Sequence, residues 1–187
     1  MSYAGLPEAH SEAEQSIAAK WHNAANIWTN YWTDGGETHQ HGAIEAPSNN
    51  ATFTNSLQVT GYVLDLAFSG QVPWTSGMDY ADVWLVPQAG GGNWFLSSNW
   101  MYQQTTYGLD SSSAANLYGE PFRYSGFNIT HTTAQHQRTD QTLGDPVALS
   151  TIPNGTYTLI VGGRSLVDRN PGGHEWLILN NIHVIKQ

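Results

Sequence analysis

Hydrophobic and polar positions follow two different periods along this chain. In the first third, Ile17, Trp21, Ala24, Trp28 and Tyr31 recur at steps of four and three, which places them on one helical stripe. Ser11-Glu12-Ala13-Glu14 ahead of them fits a capping box, with Ser11 accepting from the amide of Glu14 and Glu14 reaching back. Asp34-Gly35-Gly36 supplies the stop, since glycine takes positive φ without strain. The spacing predicts a helix over residues 12–33, although Asn23, Asn26, Thr29 and Asn30 are weak helix formers.

From Ala51 onward the period is two. Tyr62, Leu64, Leu66 and Phe68 alternate with Val63, Asp65 and Ala67 within residues 59–70. Residues 81–87, 93–104, 122–133, 146–150, 155–163 and 175–186 read as further strands. Pro73, Gly90-Gly91-Gly92, Pro153-Asn154-Gly155 and Pro171-Gly172-Gly173 punctuate them. The expected fold is mainly β: an antiparallel β-sandwich or jelly roll preceded by an N-terminal α-helix. The expected division is 1–50, a helix and a histidine-containing linker for oligomerisation or docking, and 51–187, the sandwich. No βαβ rhythm, GxGxxG or GxxxxGK[ST] is present, which disfavours nucleotide-binding α/β enzymes.

Composition narrows the partners. Only 11% of the 187 residues are charged, against about 25% in ordinary chains. The formal net charge is −9 with six Lys and Arg, and no basic run occurs. Nucleic acid is therefore not an expected partner, because its binding rests on cations that neutralise phosphates. Anionic membranes are disfavoured for the same reason. Cysteine is absent, so disulfides and thiolate chemistry are excluded. The opening MSYAGLPEAHSEAEQ lacks the basic and apolar regions of a signal peptide. No apolar run of about 18 residues predicts a membrane span. Asn-x-Thr sequons at Asn50, Asn128 and Asn154 fall in a chain rich in both residues, where chance produces them.

His39-Gln40-His41 is the first chemical candidate. On an extended chain these two imidazoles face the same way and can converge on one ion. Two nitrogens make an incomplete site, since zinc takes about four ligands and iron or nickel up to about six. Three chains around an axis would supply six. The His-x-His element in a polar, Gly/Ser/Thr/Asn-rich, cysteine-free chain resembles the receptor-binding fibres of tailed bacteriophages. That resemblance implies a homo-trimer with a transition metal on its axis, a place on the virion surface among other virion proteins, and a cell-surface glycan as receptor. The chain departs from the fibre pattern in having one such element rather than a series. The alternative is an exposed histidine pair in a linker. The stripe Ile17/Trp21/Ala24/Trp28/Tyr31 likewise has two readings: a face packed on the protein's own sheet, or a short oligomerising or docking stem.

Eight Trp and nine Tyr raise a carbohydrate reading. Sugar C–H faces stack on aromatic planes, and sugar hydroxyls need amide or hydroxyl partners. Trp94, Trp100 and Tyr102, flanked by Asn93 and Asn99, could line one face of an unbulged strand, and Trp74 sits in a turn. Against this, aromatics in sandwiches mostly fill cores. Trp84 and Trp176, inside apolar runs, are assigned to the core.

Tyr31-Trp32-Thr33-Asp34-Gly35-Gly36 resembles the opening strand of the compact jelly-roll xylanases. That resemblance implies two glutamates facing each other across a cleft, about 5–5.5 Å apart in a retaining enzyme. Only Glu120 and Glu175 lie near β segments, and each adjoins a turn. A catalytic role is not expected. The expected role is a non-catalytic structural or binding protein on the exterior of a phage-like virion, either a fibre head or a capsid decoration protein. The alternatives are a free extracellular carbohydrate-binding module or lectin, and a jelly-roll glycoside hydrolase.

Overall fold

The alternation that begins at Leu57 becomes a nine-residue strand, and its neighbours assemble into two sheets. The computed structural model describes residues 40–66, 76–100, 106–165 and 176–187. Within them run β1 (Gln40–Ala46), β2 (Ala51–Phe53), β3 (Leu57–Asp65), β4 (Met78–Pro87), β5 (Trp94–Trp100) and β6 (Tyr107–Leu109). They continue with helix α1 (Ser112–Tyr118), β7 (Gly126–His131), β8 (Thr133–Gln137), β9 (Leu143–Ala148), β10 (Gly155–Ser165) and β11 (Trp176–Lys186). The smaller sheet has the order β1-β3-β7-β6, the larger β2-β11-β10-β4-β5-β8-β9. All pairings are antiparallel except β2 on β11, a short parallel pairing that departs from the antiparallel expectation.

One hydrophobic cluster draws on both sheets. Val59, Val63 and Phe127 of the smaller sheet meet Val83, Leu85, Leu159 and Val161 of the larger, and all are nearly or fully inaccessible. Alternation explains which residues enter: Tyr157, Leu159 and Val161 share one face of β10, and Ile160 takes the other. Ile160 and its pairing partner Trp84 are also buried, at 2% exposure each. Burial on both faces is why the middle of β10 reads as a continuous apolar run. Gly163 belongs to the same fit, since a Cβ there would stand 3.2 Å from the Cβ of Val63 across the core.

A second cluster lies on the far side of the smaller sheet. Tyr62 and Leu64 of β3 pack there against Ala114 of α1 and Phe122, with Ala43 and Tyr118 at its edge. Ser111 caps α1 by accepting from the amide of Ala114 at 3.1 Å.

Three sequence expectations change. Residues 40–46 are not linker: they form β1, with Ile44 buried between the sheets, so the β body begins before residue 51. The strand expected over 122–133 starts only at Gly126, because Gly119 (φ 101°) and Pro121 open a 3-10 turn over Glu120–Ser125. The segment expected over 146–150 is β9, Leu143–Ala148, followed by a 3-10 turn at Leu149–Thr151. The predicted helix over 12–33, with Ile17, Trp21, Ala24, Trp28 and Tyr31, lies outside the described residues.

Candidate functional site

Two hairpins meet side by side at one end of the larger sheet, and their turn chemistry fixes them there. Between β4 and β5 the chain reverses through Gly90 (φ 82°) and Gly91 (φ 116°), a left-handed pair that side chains would strain. Between β8 and β9 it reverses through Arg138–Thr142, closed by Arg138 N–H donating to the Thr142 carbonyl at 2.9 Å. Asp140 Oδ1 accepts from the amide and the hydroxyl of Thr142 at 3.1 and 2.7 Å, an Asx turn. Those bonds hold the Asp140 carboxyl below its usual range.

The hairpins are joined by amides and rings. Gln137 N–H donates to the Asn93 carbonyl at 2.8 Å, and Asn93 Nδ2 donates to Gln137 Oε1 at 3.0 Å. Trp94 opposes His136 in the ladder, and their rings meet edge-on at 4.8 Å between centroids. Gly92 admits this arrangement, because a Cβ there would lie 2.1 Å from His136 Nε2. Trp94 and Asn93 are half-buried, and His136 is exposed. The result is an indole anchored on the core with an exposed imidazole against its edge, beside a pair of carboxamides that bond each other across the two hairpins. Such a set can stack on a sugar's C–H face and hydrogen-bond its hydroxyls in several directions.

The flat platform of Trp94, Trp100 and Tyr102 needed an unbulged strand. β5 is bulged: Val83 pairs with Ser97 and Trp84 with Phe95, leaving Leu96 as the extra residue. The bulge lets Phe95 pack on Trp84 at 4.8 Å between ring centroids while Leu96 enters the shared core. It also breaks the even spacing between positions 94 and 100. Trp74 and Tyr102 lie outside the described residues. His136 and Gln137 escaped the sequence reading, since the pairing that brings β8 to β5 has no local signal.

His39 lies outside the described residues, and His41 is placed on β1. It is half-buried, with its ring 5.0 Å from that of Tyr118, which in turn stands 6.2 Å from Tyr62. Burial, with Tyr118 and Glu45 nearby, pushes the Tyr62 hydroxyl up to about 12. His41 therefore packs under α1 of its own chain. Among the described residues no three His, Asp or Glu side chains gather as metal ligands.

Glu120 is exposed and held by Arg123, whose Nε and Nη2 donate to its two oxygens at 2.7 and 2.5 Å. Asp110 flanks the same guanidinium at 3.3 Å. Arg123 lowers the Glu120 pKa, the opposite of what a glycosidase general acid requires. Glu175 lies outside the described residues.

At the other end of the two sheets a buried polar group closes the core. Ser165 Oγ donates to Asp65 Oδ2 at 2.6 Å, and Asp65 N–H donates to the Ser76 carbonyl at 2.6 Å. Tyr107 Oη donates to the Val63 carbonyl at 3.1 Å and lies 3.0 Å from Ser76 Oγ. All four side chains are at most 1% exposed. No helix among the described residues is long and apolar enough to cross a membrane. No family model matches the chain, and no curated protein is similar to it.

Proposed function

We propose that this chain is a non-catalytic binding protein displayed on the exterior of a phage-like virion, as a fibre head or capsid decoration. Its two sheets form a jelly-roll sandwich, its leading segment joins it to two further copies and to other virion proteins, and it contacts a neutral cell-surface glycan through Trp94. The observation that carries the reading is the half-buried Trp94 meeting His136 edge-on where two hairpins are joined by the Asn93–Gln137 bonds. A low-charge surface rich in amides and hydroxyls supports it, since neutral sugars are recognised by such groups rather than by ions. The ion-paired Glu120 supports a non-catalytic role.

The same surface serves a second reading, a free carbohydrate-binding module. One experiment tests the site and separates the two. The whole chain is applied to a glycan array, and its mass is measured in solution. Glycan binding should weaken about thirtyfold in Trp94→Ala, the effect of removing a central aromatic anchor. Binding retained at full strength in Trp94→Ala removes the site. Binding by a monomer favours the free module, and binding by a trimer favours the virion protein.

A further inference from the structure

Asn154-Gly155 is the one Asn-Gly step in the chain, and it forms the turn that leads into β10. Both residues are exposed. Gly155 sits at φ 153°, and nothing lies within 4 Å of where its Cβ would be. Glycine thus brings no side chain of its own beside its amide, and no other group crowds the place its Cβ would take. The Asn154 carboxamide is not idle: its Oδ1 accepts from Lys186 Nζ at 3.2 Å. Lys186 is 4% exposed, and its ammonium also donates to the main-chain oxygen of Gln187 at 2.6 Å. At Asn154 the buried ammonium thus meets a neutral carboxamide oxygen, where a carboxylate would be a stronger partner.

We propose that Asn154 is a self-modification site: it deamidates through its own backbone, and the carboxylate produced pairs with Lys186. The Gly155 amide nitrogen, once deprotonated, attacks Cγ of Asn154. The new N–Cγ bond closes a five-membered succinimide, the Cγ–Nδ2 bond breaks, and ammonia leaves with the proton it needs from water. Water then adds to one imide carbonyl. Opening on the Cγ side gives aspartate, and opening on the main-chain side gives isoaspartate. No electrons are transferred overall. Lys186 assists because its ammonium faces the oxygen that becomes negative when Cγ turns tetrahedral. The aspartate product keeps the backbone and exchanges a neutral acceptor for a charged one. The isoaspartate product inserts a main-chain carbon where Gly155 pairs with Lys186 at the start of the β10–β11 ladder.

Asn50 and Asn128 are internal controls: both are exposed, and Ala51 and Ile129 follow them with side chains that obstruct imide closure. The whole folded chain is held at mildly alkaline pH and digested, and the deamidated fraction at each asparagine is followed by mass spectrometry. Asn154 should convert at least about tenfold faster than Asn50 or Asn128. Equal rates overturn the site. The pairing is tested separately by chemical denaturation of Asn154→Asp. Its midpoint should rise above wild type, and the rise should vanish when Lys186→Met is made in both backgrounds. A midpoint at or below wild type, or a rise that survives Lys186→Met, overturns the ion pair.

Discussion

The two ends of the sheet pair are closed by opposite means. At the hairpin end, Leu149 (0% exposed) and Ile152 (2%) plug the core from a short segment between β9 and β10. Hydrogen bonds around the plug run to backbone carbonyls: Leu149 N–H donates to that of Thr132 at 2.8 Å, and Tyr157 Oη to that of Pro153 at 2.6 Å. At the Asp65 end the plug is polar, and Asp65, Ser165, Ser76 and Tyr107 close it with hydrogen bonds. An apolar plug gains free energy from volume filled and tolerates small shifts. A polar plug gains it only where donors and acceptors align, so it fixes geometry more strictly than it adds stability. The hairpin end can therefore offer the half-buried Trp94 and the exposed His136 on a rigid base.

That contrast breaks most directly at Leu149. Leu149→Ala deletes a fully buried side chain from a close-packed cluster, and about 4 kcal/mol of stability should go with it. Urea denaturation measures the loss. A cost near that of a surface change would mean that the hairpin end is not sealed by volume.

Acid should act on the hairpin end next. His131, at the end of β7 opposite Leu57, is 4% exposed, and its Nε2 makes no hydrogen bond. Burial lowers its pKa from 6.5 to about 4. Below 6.5 the unfolded chain takes up a proton that the native state refuses until about 4, so stability falls as pH drops through that window. The loss over the whole window is about 3 kcal/mol. Denaturation midpoints between neutral and mildly acid pH should show this slope, and His131→Gln should flatten it. The lowered carboxyls of Asp140 and Glu120 act in a lower window: their contribution is present above the ordinary carboxylate range and is lost only beneath it.

What the sequence disclosed follows the same division. β3, β4, β10 and β11 were legible because each carries an alternating or continuous apolar pattern in a strand of nine or more residues. The β4–β5 hairpin was legible from Gly90-Gly91-Gly92 and the entry to β10 from Pro153-Asn154-Gly155, whose backbone demands are local, whereas the β8–β9 turn at Arg138–Thr142 was not read. β2 and β6 were not, since three residues carry no period. α1 is too short to show a stripe and starts from a serine run. Of the candidate site, Trp94 was visible as an aromatic beside an amide. His136 and Gln137 were not, because only the β5–β8 register brings them there. The core placement of Trp84 held, at 2% exposure, because Val83 and Leu85 on either side claim the opposite face of β4. The polar plug was invisible altogether: Asp65 lies within an alternating run in which it looks like a solvent position.

Ser165→Ala is the smallest effect and the sharpest test of the polar plug. It deletes the 2.6 Å bond to Asp65 Oδ2 without opening a large cavity, so the expected cost is about 2 kcal/mol. The decisive readout is where the loss appears. If the plug fixes geometry, amide hydrogen exchange should quicken at Asp65, whose N–H reaches the Ser76 carbonyl, and around Ser76 and Met78. Exchange at Asn93, Gln137 and Arg138 should stay at the wild-type rate, because their bonds belong to the other end. Glycan binding through Trp94 should be equally indifferent. Faster exchange at both ends together would mean that the sheets open as one unit, and the two closures would then not be separable.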